Sequence, residues 1–331
     1  LRKILLIDWT EGKDVIFSDS YIGNRDNCLN YVRYLKSYFK ERGYDLSNNH
    51  KNHNDAVLNI TGLYAGHKEE YGVIFETKYI QKKAYKKDNL KKFKKIYTWN
   101  EEILNIYKSR YVSFPNNINV NNDFSNSFDD RKKFSVMVAG NKIAELPSSK
   151  VLYQERFKII KWFEKNNIDS FELYGSGWDA PFLFNNVIKK LFNILKIGRA
   201  VFPLRVYKGK VLCKSDILSQ SKFSFCLENV VSNNYITEKI FDSFVSGCVP
   251  IYWGPNNIDN FIPKETYIDY RNFKSLNSML DFLQNIDYLK YRTYQDNIYK
   301  FLQSEMAFKL SDKSFAKNVV DDLIGDLSIS V

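Results

Sequence analysis

Phe223-Ser224-Phe225-Cys226-Leu227-Glu228-Asn229, then Tyr235-Ile236-Thr237-Glu238-Lys239, then Gly247-Cys248-Val249-Pro250-Ile251-Tyr252-Trp253-Gly254 is the stretch whose reading decides the fold. It runs from an apolar segment through a polar loop and a helix over 238–246 to a second apolar segment. Continuous apolar runs joined by a helix suit parallel strands covered on both faces. The Thr237 hydroxyl can cap the free N–H groups of the helix, and Gly247 stops it. Such a helix start carries unpaired donors and a positive dipole end, which suits a phosphate. Lys239 in the first turn opposes the dipole, so it makes more sense with an anion to bind. Glu238 suits the dipole and can accept hydrogen bonds from sugar hydroxyls. On spacing alone, a capping Glu238 and a solvated Lys239 are the favoured explanation of the pattern.

The same alternation extends in both directions. A helix is expected over 214–220, a strand over 134–139, and a helix over 151–166 with Leu152, Phe157, Ile160 and Phe163 inward. A strand over 171–174 ends in the glycine turn Gly175-Ser176-Gly177-Trp178, whereas 179–212 is irregular, apolar and basic. Further upstream the strand candidates are 3–8, 56–60, 72–76, 95–99 and 110–114, with a helix over 28–42 carrying Leu29, Val32, Leu35 and Phe39. The Asn-, Asp- and Ser-rich segment 115–133 reads as a linker, and 314–327 as an amphipathic closing helix. Strands alternating with helices imply α/β layers. The expectation is two Rossmann-like domains facing across a cleft: 1–130, 131–310, and a closing helix in 311–331.

Length and composition agree. The 331 residues suit two domains, and 44% apolar with 26% charged residues is ordinary for a globular chain. Nothing approaches the ~18 consecutive apolar residues of a membrane span. The opening Leu1–Asp8 is too short for a signal peptide and reads as a buried strand. Cys28, Cys213, Cys226 and Cys248 show no metal or redox spacing and fit a reducing compartment. The three histidines, His50, His53 and His67, lie in polar surroundings, so a carboxylate is the better candidate for a base.

The formal net charge of +11 favours an anionic partner. Much of it is local, in Lys78, Lys82, Lys83, Lys86, Lys87, Lys91, Lys92, Lys94 and Lys95. A solvated face is the plain reading of that stretch. A polyanion-binding protein, with Tyr79, Tyr85 and Phe93 interleaved, is the alternative from another class. No nucleic-acid motif accompanies the lysines, so no nucleic-acid partner is expected.

The run from Phe223 to Gly254 resembles the donor-binding signature of the α1,3-fucosyltransferases, in which a Phe-Glu-Asn-like strand end precedes Tyr-x-Thr-Glu-Lys. Tyr153 to Arg156, Trp162-Phe163, Leu173 to Trp178, Tyr207-Lys208-Gly209 and Pro255 to Phe273 are similar to the bacterial branch. The resemblance covers most of 134–273 and is sparse before it. Leu227 stands where the family more often has Phe or Tyr.

The resemblance implies a B-type glycosyltransferase fold, with an acceptor-binding first domain and a GDP-fucose-binding second domain. It also implies inverting transfer from GDP-β-L-fucose to the 3-hydroxyl of N-acetylglucosamine in a Galβ1,4GlcNAc-type glycan. No metal cofactor is required in the family, and no Asp-x-Asp occurs here to hold a divalent ion. Matched residue by residue, Lys239 falls on the phosphate-contacting lysine, Glu238 on the sugar-contacting glutamate, and Asn229 and Tyr235 on other donor contacts. Arg205 falls on the phosphate-binding arginine with a one-residue gap, Arg199 being the other choice. Glu76, ending the strand Val73-Ile74-Phe75-Glu76 ahead of Tyr97-Thr98-Trp99-Asn100, falls on the base. Without the resemblance, Glu76 reads as a strand end facing water. Another nucleotide sugar as donor is the alternative within the same fold. The expected location is cytoplasmic, with weak docking of the basic stretch on an anionic inner-membrane surface.

Overall fold

Short apolar runs build two sheets in which every described strand pairs in parallel. The computed structural model describes residues 1–10, 14–18, 21, 23–49, 54–119, 124, 128–178 and 204–329. The chain divides into two compact units, Leu1–Ile118 with Asn233–Glu238 and Glu305–Val331, and Asn119–Ser232 with Lys239–Ser304.

The first unit contains β1 (Arg2–Ile7), α1 (Asn30–Glu41), β2 (Tyr44–Ser47), β3 (Ala56–Asn59), β4 (Glu70–Ile74), α2 (Lys87–Leu90), β5 (Lys95–Thr98), α3 (Glu101–Leu104) and β6 (Ser109–Tyr111). Its strand order is β2-β1-β3-β4-β5-β6, so the order reverses between β1 and β3. Both β3 and β4 are buried along their whole length, as strands covered on two faces must be. Helix α1 turns Tyr31, Val32, Leu35 and Phe39 inward, in agreement with its sequence period. Strand β2 was not foreseen, since four residues show too little alternation to announce a strand. The expected strand over 72–76 starts earlier and stops at Ile74, which leaves Glu76 in the loop beyond it.

The second unit contains β7 (Lys133–Val138), α4 (Tyr153–Asn166), β8 (Glu172–Tyr174), β9 (Tyr207–Gly209), α5 (Lys214–Leu218), β10 (Ser221–Leu227), α6 (Glu238–Val245), β11 (Val249–Trp253), β12 (Ile268–Asp269), α7 (Leu276–Gln284) and α8 (Tyr288–Leu302). Glu238, the first residue of α6, is assigned to the first unit. The strand order β12-β11-β10-β7-β8-β9 is that of a doubly wound sheet, reversing between β7 and β10. At the end of β8, Gly175 has φ +131, and a Cβ there would lie 2.0 Å from the Ala139 carbonyl oxygen. The same oxygen accepts the Trp178 indole N–H at 2.7 Å, so the glycine turn is a requirement of packing.

Helix α4 differs from its expected phase. Arg156 and Ile159 face inward while Phe157 is only half-buried. The guanidinium is drawn in because the Leu227 carbonyl oxygen and Asn229 Oδ1 are there to receive it, at 2.5 and 3.0 Å. The linker candidate 115–133 also holds structure. Arg131 is buried and donates to the carbonyls of Leu218, Ser221 and Ser246 at 3.1, 2.8 and 2.9 Å. These contacts gather the ends of α5 and α6 onto one side chain.

The chain closes with α9 (Glu305–Lys309) and α10 (Asp312–Ile329), which return to the first unit. Phe315, Ala316, Val319, Val320, Leu323 and Leu327 of α10 share one core with α1 and the first sheet. Lys95 of β5 pairs with Asp322 and Asp326 of α10 at 2.8 and 2.7 Å, and Arg110 reaches Asp322 at 2.8 Å. No helix among the described residues is long and apolar enough to cross a membrane.

Candidate active site

Ligands of open parallel sheets bind beyond the carboxyl ends of the strands, where the strand order reverses. In the second unit, Glu228 and Asn229 follow β10 at such a point. Glu228 is fully buried and accepts from Lys239 Nζ at 3.3 Å and from the Tyr252 hydroxyl at 3.2 Å. Burial and the adjacent Glu228 carboxylate push the Tyr252 hydroxyl well above its usual range, so it stays a donor. Asn229 is held by Arg156, whose guanidinium lies 5.0 Å from the Tyr153 ring centroid. Lys239 is thus held through Glu228, which Tyr252 also contacts, and Asn229 through Arg156. Sequence reasoning did not single out Glu228, Tyr252 and Arg156. Glu228 stands inside the quoted motif, but only the structure shows it facing Lys239.

Arg205 belongs to the same unit and stands two residues before β9. Its backbone N–H and Nε each donate to Glu164 Oε1 at 3.0 Å, and its Nη2 donates to the Glu164 carbonyl oxygen at 2.8 Å. The side chain is 68% exposed. These contacts fasten the chain before β9 to the end of α4. Arg199 lies outside the described residues, as do His50 and His53. Cys226 and Cys248 are buried free thiols, pushed by burial up to about 11 and about 12, as befits inert core residues.

The first unit assembles a second group. Glu76 lies two residues beyond β4, next to the reversal point at β3. Its Oε2 accepts the Tyr235 hydroxyl at 2.8 Å, and its carbonyl oxygen accepts the Tyr85 hydroxyl at 2.8 Å. Asn100 Nδ2 donates to the Tyr85 hydroxyl at 2.9 Å, and burial keeps that phenol protonated by raising its pKa. The Trp99 indole N–H donates to the Phe75 carbonyl oxygen at 2.6 Å, and its ring packs 4.7 Å from that of Tyr235.

Tyr235 belongs to a strap, 233–238, in which Tyr235, Ile236 and Thr237 are all buried. The strap is shaped by Asn234 at φ +63, a left-handed position that asparagine tolerates, and Asn234 Nδ2 donates to Glu101 Oε1 at 3.0 Å. Glu238, half-buried, ends the strap. The structure thus brings Glu76 and Tyr235 together, and separately Asn229 and Lys239. Among the described residues no group of three or more His, Cys, Asp or Glu could hold a metal ion.

Residues 179–317 match the model of the glycosyltransferase family 10 (fucosyltransferase) C-terminal domain. The α1,3-fucosyltransferase FucT of Helicobacter pylori is 40% identical over 87 residues, 26% of this chain and 17% of that protein. The 4-galactosyl-N-acetylglucosaminide 3-α-L-fucosyltransferase 9 of Bos taurus is 31% identical over 143 residues, 39% of each chain. The chain thus aligns with well under half the length of these relatives. A crystal structure of an α1,3-fucosyltransferase with GDP superposes with TM-score 0.53 and 17% identity, covering 98% of this chain and 89% of that one. A further crystal structure of an α1,3-fucosyltransferase superposes with TM-score 0.53 and 16% identity, covering 97% of this chain and 89% of that one. At that identity the likeness is one of fold: two Rossmann-like α/β domains.

Proposed function

From the membership of residues 179–317 in glycosyltransferase family 10, we propose that the chain is an inverting α1,3-fucosyltransferase. It takes L-fucose from GDP-β-L-fucose to the 3-hydroxyl of N-acetylglucosamine in a Galβ1,4GlcNAc-type glycan. In this reading Glu76 removes the proton of the acceptor hydroxyl as that oxygen forms its bond to the anomeric carbon. The bond from that carbon to the β-phosphate oxygen breaks on the opposite face, and its electron pair leaves with GDP. Lys239 and the start of α6 offset the charge developing on the diphosphate without a metal cofactor. Asn229 and Glu238 serve as donor contacts, and Arg205 as a second cation for the phosphates. The observation that carries the reading is the placement of Lys239, oriented by buried Glu228 at the strand-order reversal of the second sheet.

The relatives' names, which include α1,3-fucosyltransferase and N-acetylglucosaminide 3-α-L-fucosyltransferase, support the acceptor class. The exposed lysines 82, 83, 86, 87, 91 and 92 are proposed to dock the enzyme weakly on an anionic membrane surface in the cytoplasm. The direct test of function is thermal stability with GDP-fucose, GDP-mannose, GDP, UDP-galactose or a short oligonucleotide at ~0.15 M salt, where loose charge contacts are screened. A ligand at ~100 times its Kd stabilises by about 2.7 kcal/mol. Stabilisation by GDP and GDP-fucose is expected, and stabilisation by the oligonucleotide alone overturns the reading. Glu76→Gln should keep the GDP-fucose response and lose transfer.

A further inference from the structure

We propose that Tyr235 is a positioning residue for Glu76: its hydroxyl occupies Oε2, fixes the carboxylate, and leaves Oε1 to receive the acceptor's proton. This rests on Glu76 being the base. The resemblance made Tyr235 a donor contact, yet its ring is 1% exposed and its hydroxyl lies 2.8 Å from Glu76 Oε2.

The arrangement is built at three points. Trp99 holds the Phe75 carbonyl oxygen, Tyr85 holds the Glu76 carbonyl oxygen, and Tyr235 holds the side chain. Tyr235 is itself wedged against Trp99, with ring planes at 38°. A carboxylate with one free torsion beyond a fixed backbone would otherwise swing, and a base must lie within hydrogen-bond reach of the proton it takes.

The consequence is specific to Tyr235→Phe, which keeps the ring and removes only the donor. Loss of the hydrogen bond that fixes the base should lower kcat about tenfold, while KM for GDP-fucose and the thermal response to GDP stay as in the wild type. In a Glu76→Gln background the same change should cost nothing further.

An unchanged kcat in Tyr235→Phe overturns the proposal, as does a GDP response lost with the hydroxyl, which would return Tyr235 to the donor site. If kcat falls in Tyr235→Phe while Glu76→Gln retains full turnover, the assignment of Glu76 as base fails instead. If Tyr235→Phe does not fold, kcat is read in Trp99→Phe, which loosens the wedge and should lower kcat with KM for GDP-fucose unchanged. An unchanged kcat there overturns the proposal.

Discussion

Removing the ammonium of Lys239 and removing the charge of Glu228 should have very unequal effects on stability, although they break the same ion pair. Glu228 is fully buried, while the Lys239 side chain is 21% exposed. Lys239→Met takes the ammonium from a carboxylate that also accepts from the Tyr252 hydroxyl, and breaking a buried pair in this direction costs about 3–5 kcal/mol.

Glu228→Gln instead leaves an ammonium within reach of water and keeps an oxygen for Tyr252, so about 1 kcal/mol is expected. Thermal unfolding reads the difference. At ~2–4 °C per kcal/mol for a domain of this size, Lys239→Met should melt roughly 6–20 °C below the wild type. Glu228→Gln should lose only a few degrees, and the double variant should be more stable than Lys239→Met alone, because the buried charge is gone. Equal losses in the two single variants, or additive losses in the double, would refute the argument. Activity lost in a Lys239 variant should accordingly be read at temperatures where the variant is still folded.

Asp312, at the start of α10, is pushed by burial up to about 6, and its Oδ2 has no hydrogen-bond partner. Its folded pKa lies above the ordinary ~3.9, so its stabilising effect is full below about pH 4 and lost as pH rises through 6. Asp312→Asn should therefore gain up to about 3 kcal/mol over the wild type at pH 7.5 and little at pH 4.5; parallel pH dependence in denaturant titrations of the two proteins would contradict this. Replacing lysines 82, 83, 86, 87, 91 and 92 by glutamine should abolish sedimentation with phosphatidylglycerol vesicles at low salt while leaving turnover on a soluble acceptor intact. Unchanged vesicle binding would remove the docking proposal.

The order of strands and helices was legible because each carries an apolar run or a helical period that a short window exposes. The runs at Phe223–Leu227 and Val249–Trp253 fall within β10 and β11. Strands β2, β9 and β12, of four, three and two residues, contain too few positions for alternation to register. What local pattern cannot encode is which side chains meet. Glu76 and Tyr235 are 159 residues apart, and Lys95 and Asp322 are 227. The basic stretch illustrates the difference. Nine lysines look alike in sequence, yet Lys78, Lys94 and Lys95 are each paired with a carboxylate, and Lys95 is buried in its pair. The lysines that remain exposed are those on α2 and its flanking turns, so the surface charge available to a partner is smaller and more localised than the sequence suggests.

The long-range contacts also explain why the last helix belongs to the first sheet. An α/β sheet needs both faces covered, and α1 shares its core with apolar side chains that only α10 supplies. At ~1.5–3 kcal/mol for each large buried apolar side chain, Phe315, Val319, Val320, Leu323 and Leu327 together contribute on the order of 10 kcal/mol. That is comparable to the whole net stability of a typical domain, about 5–15 kcal/mol. The ion pairs from Lys95 and Arg110 to α10 then fix the helix at the end of the sheet built from β5 and β6. The first unit, and with it the loop that carries Glu76, therefore completes its core only once the final helix has been made. The sheet that presents the proposed base is thus covered by α10, which the chain makes after the second unit that carries Asn229 and Lys239.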